Sequence, residues 1–146
     1  MNGVSIRTTF WRLLFLVLLI AVAYFSWKPN PSIVQVAWVP RAIGLWLDEH
    51  DFTKNFIGYG TLAFAILMAW AGPTAKAKER QRSPASSGRE RKLLIGFCSL
   101  VVFLELGQLA LRHRTCDWAD ILAGWLGGLL AWVLFRLTGV IKAKLV

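Results

Sequence analysis

The feature that most constrains this chain is an alternation. Long stretches almost free of charge are separated by short stretches that hold most of it. The plainest case is Phe103 to Gly128, which reads FLELGQLALRHRTCDWADILAGWLGG. The apolar run from Leu93 to Leu111 carries a single carboxylate, Glu105. A short polar turn follows, with Arg112, His113, Arg114, Thr115 and Cys116, and a second apolar run then opens with Asp117 and Asp120 in its first turn. An α-helix rises about 1.5 Å per residue. Runs of this length therefore reach across a hydrocarbon core of about 30 Å. The expectation is a transmembrane hairpin with acids and arginines gathered at one end.

Two further runs fit the same template. Leu13 to Trp27 is uncharged and, with Phe10 and Trp11, makes a first span. Asn55 to Gly72 is uncharged and stops at Gly72-Pro73, a pair that ends helices. The fold class predicted is all-α: a four-helix transmembrane bundle, with spans at about 10–27, 55–72, 93–111 and 118–135. Residues 1–146 are read as a single integral membrane domain. A hydrophobic content of 56% and a mean hydropathy of +0.52 are too apolar for an ordinary soluble domain. The competing reading of the first run is a signal peptide, because Ala21-Val22-Ala23 resembles a cleavage site.

The charge distribution sets an orientation. Net charge is +9, but the basic residues fall in the gaps between apolar runs rather than on one face. That pattern speaks for membrane topology and against a nucleic-acid partner. The connection 73–92 holds Lys76, Lys78, Arg80, Arg82, Arg89, Arg91 and Lys92 against Glu79 and Glu90. Its centre, residues 83–88, has the composition of a flexible linker. Counting Lys and Arg places this loop and both termini in the cytoplasm (N-in, C-in) and the turn at 112–117 outside. The loop also suits anionic lipid, although topology alone accounts for it. The connection 28–54 is broken by Pro29, Pro31 and Pro40. Its apolar pieces are too short to span. Trp38 and Trp46 suit a segment lying in the interface, and a plain cap on the bundle explains it equally well. Cys98 and Cys116 would stand roughly 27 Å apart along a continuous helix, so no disulfide between them is expected.

Helical phase selects the candidate residues. Positions three, four or seven apart share a face. Asp51, Asn55 and Tyr59 form one such row; Glu105, Gln108 and Arg112 form a second; Asp117 and Asp120 continue into Gly124 and Gly128 as a third. With the orientation above, every polar member lies in the outer half of its span, and the three rows are expected to meet in an outward-opening polar cluster. Interhelical packing contacts alone would also explain Asn55, Tyr59 and Gln108. Glu105 is harder to explain that way. A charged carboxylate near mid-span costs roughly 2.5–3.5 kcal/mol on insertion scales. It must be paired, protonated or in contact with water, and Arg112 and Arg114 are the available partners. Gly124, Gly127 and Gly128 allow a close helix contact. Trp118, Trp125 and Trp132 recur on a neighbouring flank, which faces either lipid or a partner protein. The two histidines, His50 and His113, form no metal motif, and there is no cofactor motif. Cys116 and His113 share a tight turn, which is poor geometry for a nucleophile and its base.

At these residues the chain resembles the VanZ-like family, from about Asp51 to Leu134. The family pattern opens one span with an Asp and a His or Asn, matched here by Asp51 and Asn55 with Phe56 and Tyr59. A later Glu-x-x-Gln matches Glu105 and Gln108; an Arg matches Arg114; an acidic start to the last span matches Asp117 and Asp120, followed by Ala123 and Gly127. The family usually has Asn where this chain has Gly124. The resemblance implies a multi-pass protein of the bacterial inner membrane and cell-envelope lipid or glycan biology, and it supplies no reaction. The leading expectation is a polar cluster that binds or presents a lipid-linked or glycan headgroup, with membrane lipids around it. One alternative is a non-catalytic accessory subunit packed on a larger membrane complex. Another is a hydrolase or transferase using Glu105 and Asp120 as acid and base.

Overall fold

The structure, a computed structural model, describes residues 6–28, 32–37, 39–71, 85–111 and 117–144, with side chains throughout except at 85–87 and 139–144. Among these residues the chain forms five helices and no strand: α1 (Ile6–Trp27), α2 (Arg41–Glu49), α3 (Asp51–Trp70), α4 (Ala85–Gln108) and α5 (Trp118–Lys144). By length and composition, two helices are apolar enough to cross a membrane: Ile6–Trp27, with mean hydropathy 2.0, and Trp118–Thr138, with 1.6. α3 and α4 are long as well, but they carry charge near their starts, at Asp51 and Lys54 in the first turn of α3 and at Arg89 to Lys92 in the second turn of α4. The Gly72-Pro73 stop, the basic stretch 73–84, the turn 112–116 and Trp38 lie outside the described residues.

Several helix limits differ from the sequence reading. α4 starts at Ala85, inside the stretch read as linker. Arg89, Glu90, Arg91 and Lys92 favour helix, and Glu90 has partners on α5. Arg136 Nε lies 2.7 Å from Glu90 Oε2, Trp132 Nε1 donates to the same oxygen at 3.1 Å, and the Arg136 guanidinium stacks over Trp132 at 5.3 Å. α4 also ends earlier than expected, at Gln108. Beyond it, the N–H groups of Leu109, Ala110 and Leu111 donate to the carbonyls of Leu106, Gly107 and Gln108, the tighter i→i+3 pattern common at helix ends. α5 continues past 135 to Lys144.

Side-chain contacts give the helix directions. Trp11 packs edge-on against Phe64 and Phe15 against Trp70, while Ser26 at the other end of α1 meets Tyr59, so α1 and α3 run antiparallel. Glu90 opposite Arg136, with Phe97 at Gly128 and Val101 at Gly124, makes α4 and α5 antiparallel. Asn55 with Asp120, and Gly60 with Gly127, make α3 and α5 parallel. The core sits between α3, α4 and α5 and is built from Tyr59, Leu62, Ala63, Phe97, Val101 and Leu104, with Ala131. Its tightest seam joins α3 and α5. A Cβ at Gly127 would run into the Phe56 carbonyl oxygen, and one at Gly60 would sit 3.2 Å from the Gly127 carbonyl oxygen. Small residues are what permit such an approach. α1 lies on the flank, and none of its residues is buried.

The segment between α1 and α3 folds back on itself. A turn at Ile33–Val36 packs on α2 at Gly44, where a Cβ would come 2.7 Å from Val34 Cα. Asp48 fastens the turn: it accepts from Ser32 Oγ at 2.6 Å, Ile33 N–H at 2.8 Å and Val34 N–H at 3.2 Å. Partial desolvation opposes the Asp48 charge, but these three donors and the nearby Lys54 ammonium outweigh it and hold the carboxyl below its ordinary value. α2 leaves Ile43, Leu45 and Trp46 exposed.

Candidate functional site

The polar ends of four helices meet at one end of the bundle. α3 brings Asp51, Lys54, Asn55 and Tyr59, one or two turns apart on one side of the helix. α4 brings Glu105 and Gln108 from its last turn, and α5 brings Asp120 from its first. α1 brings Ser26 from its last turn. These residues line a cavity of about 350 Å³. Its other wall is apolar, with Leu18, Val22 and Phe25 of α1, Ile57 of α3, and Ile33 and Leu47 above.

Glu105 is the most constrained polar group. It is 1% exposed, yet both of its oxygens are occupied. Tyr59 Oη donates to Oε1 at 2.8 Å, and Gln108 Nε2 donates to Oε2 at 2.7 Å. Ser26 Oγ stands 3.5 Å from the same Tyr59 hydroxyl. Tyr59 and Gln108 are themselves buried, so three helices join here in one network. Buried charge is tolerated only with such partners. Beside it, Asn55 hydrogen-bonds Asp120, and Lys54 pairs with Asp51 at the rim. Among the described residues, no group of three or more His, Cys, Asp or Glu side chains could hold a metal ion.

The structure thus brings Asp51, Asn55, Tyr59, Glu105, Gln108 and Asp120 to one cavity. Asp117 is not in its lining. It is exposed and caps α5, with Oδ1 accepting from the Ala119 N–H at 2.8 Å. Arg112 and Arg114, the partners considered for Glu105, lie outside the described residues. The three glycines split between two neighbours: Gly127 faces α3, whereas Gly124 and Gly128 face Val101 and Phe97 of α4. The tryptophan flank is partly spent inside the protein. Trp125 Nε1 points to the Cys98 carbonyl at 3.4 Å and Trp132 Nε1 to Glu90, while Trp118 is 77% exposed.

Residues 10–139 match the family model described as VanZ/LLP1. The chain belongs to the VanZ/LLP1 family. No curated protein and no solved structure matches it significantly. The one departure from the VanZ-like pattern has a local reason. A Cβ at Gly124 would meet Val101 Cγ1 at 2.7 Å and Tyr59 Cδ2 at 3.1 Å. A side chain there would need the Val101 methyl to move, and Tyr59, which donates to Glu105, to give by a few tenths of an ångström.

Some lining and supporting residues carried no visible signal. Ser26 is one serine at the end of an apolar run. Trp27 anchors α1 to α4, with Nε1 donating to the Leu104 carbonyl at 3.3 Å and the indole lying over Gly107. Neither partnership follows from phase within a single helix.

Proposed function

We propose that this VanZ/LLP1 protein crosses the bacterial inner membrane four times, with both termini cytoplasmic, and binds the headgroup of a lipid-linked glycan in the cavity beside Glu105. The observation that carries this reading is the cavity's two-sided lining. Carboxylates and amides stand at one end, and aliphatic and aromatic side chains form the facing wall. Ligand sites are largely apolar with a few placed polar groups that fix orientation. Among the described lining residues, Asp51, Glu105 and Asp120 stand against one cation, Lys54. That balance suits a neutral group rich in hydroxyls, because carboxylates accept from donors and repel anions. The up-and-down helix directions support four crossings, and the cavity, at the C-terminal end of α4, would then open on the side that the Lys/Arg count reads as outside. Both Glu105 oxygens already hold donors from the protein.

The test is lipid extraction from the protein purified in mild detergent, followed by mass spectrometry. A sugar-bearing lipid enriched well above its share of the membrane is the expected result. Bulk phospholipid in membrane proportions, with no sugar-bearing species, would contradict the reading.

A further inference from the structure

The geometry points to a tail slot. We propose that the ligand is an amphiphile whose aliphatic chain lies between α1 and α3 and leaves the cavity sideways past Ile57 and Thr61. This rests on the headgroup reading above and adds the class and route of the rest of the molecule.

Two graded helix faces make the slot. On α3 the lining runs Asp51, Lys54, Asn55, Gly58 and Thr61, a single stripe along the helix. It spans about 15 Å of helix axis. The stripe passes from charge through an amide to a bare backbone position. Thr61 ends it with its hydroxyl turned back to the Ile57 carbonyl at 2.8 Å, which leaves its methyl for contact. On α1 the facing row is Leu18, Ala21, Val22, Phe25 and Ser26, again one stripe, with its single polar member at the Glu105 end. The antiparallel helices therefore grade in the same sense from polar to apolar.

Gly58 marks the space between them. A Cβ built there meets nothing within 4 Å, whereas one at Gly60, two residues on in the same helix, strikes α5. The slot also opens outward: Ile57 is 50% exposed and Thr61 is exposed. Size supplies the last step. A cavity of about 350 Å³ is near the lower end of the roughly 300–1,000 Å³ typical of ligand sites. It accommodates a small headgroup and the start of a chain, so the remainder must pass out through the gap into lipid.

The full-length protein in phosphatidylcholine nanodiscs is photolabelled with a dodecyl glucoside carrying a diazirine in its chain, and labelled peptides are mapped. Label should concentrate on Leu18–Phe25 and Ile57–Thr61, and unlabelled dodecyl glucoside should compete while methyl glucoside does not. Gly58→Phe should cut this labelling about tenfold or more with the melting temperature unchanged; Gly58→Leu replaces it if the larger variant fails to insert. Equal competition by methyl glucoside, with Gly58 variants labelled normally, overturns the slot and leaves the headgroup site standing. Label spread over exposed α5 residues such as Leu129 and Leu134, with no competition by either glucoside, overturns both.

Discussion

The seam between α3 and α5 and the seam between α1 and α3 are built on opposite plans. At the first, glycine faces glycine, backbone touches backbone, and Leu62, Ala63 and Ala131 beside it are buried. At the second, aromatic edges meet at one end through Trp11, Phe15, Phe64 and Trp70, and a cavity fills the other. No α1 residue is buried. The same helix, α3, makes both seams. In lipid the apolar tails compete equally for apolar side chains, so close packing and interhelical hydrogen bonds must hold helices together. α5 is held by close packing. α1 packs on the core with half-buried side chains, Phe15, Leu19 and Ala23 among them, and is anchored by Trp27 on Leu104 and Arg12 stacked over Trp70; the space left over is the candidate site.

The same side chain put into both seams should give very different losses. Gly127→Leu should force α3 and α5 apart and cost on the order of 3 kcal/mol or more, since an overpacked backbone contact cannot relax by a rotamer change. Gly58→Leu should change stability by less than about 0.5 kcal/mol. Melting in detergent reads both, and equal losses would erase the distinction between the seams.

A milder contrast uses one helix and one methyl group. Gly60→Ala brings a Cβ to 3.2 Å from the Gly127 carbonyl oxygen and should cost about 1 kcal/mol. Gly58→Ala meets open space and should be neutral or stabilising by up to about 1 kcal/mol, because alanine stiffens the helix. A Gly58→Ala variant that melts lower than Gly60→Ala would contradict the geometry.

The smallest effect concerns the roof of the cavity. The Asp48 carboxyl is held below its ordinary value of 3.8 by the Ile33, Ser32 and Val34 donors. A depressed carboxylate contributes stability above its unfolded pKa and loses it as pH falls through the folded one. Protection of the Ile33 and Val34 amides, taken against their intrinsic exchange rates, should therefore hold near neutrality and fall only below the ordinary carboxyl range, about pH 4. Asp48→Asn should lose much of this protection at all pH values, with global melting little changed. Protection in the wild type that falls from pH 6 downward would exclude Asp48 as the fastener.

How much of this was legible varied with the distance over which residues find each other. Periodicity within one helix put Gln108 on the face of Glu105, and Asn55 and Tyr59 on the face of Asp51, so much of the cavity's polar end could be read from phase. The four long helices followed from long apolar runs, but α2 and the charged start of α4 did not. Pairings that depend on how helices rotate against each other could not be read. Glu90 looked like a loop acid because its partners, Trp132 and Arg136, lie far away in sequence on α5. Trp125 and Trp132 share a flank with Trp118, but only the rotation of α5 turns the first two toward α4. Asp48 had no visible role until the chain reversed and laid Ser32 to Val34 beside it.

The charge of Glu105 serves the ligand and not the joining of the helices in this reading, and Glu105→Gln separates the two roles. Gln keeps the shape and much of the hydrogen bonding while removing the charge. Replacing a buried charge is often neutral or stabilising. The measurement is complementation of whatever phenotype a deletion strain shows, taken together with the melting temperature of the purified variant. The variant should insert, melt at or above the wild-type temperature, and fail to complement. Full complementation by Glu105→Gln would contradict this reading.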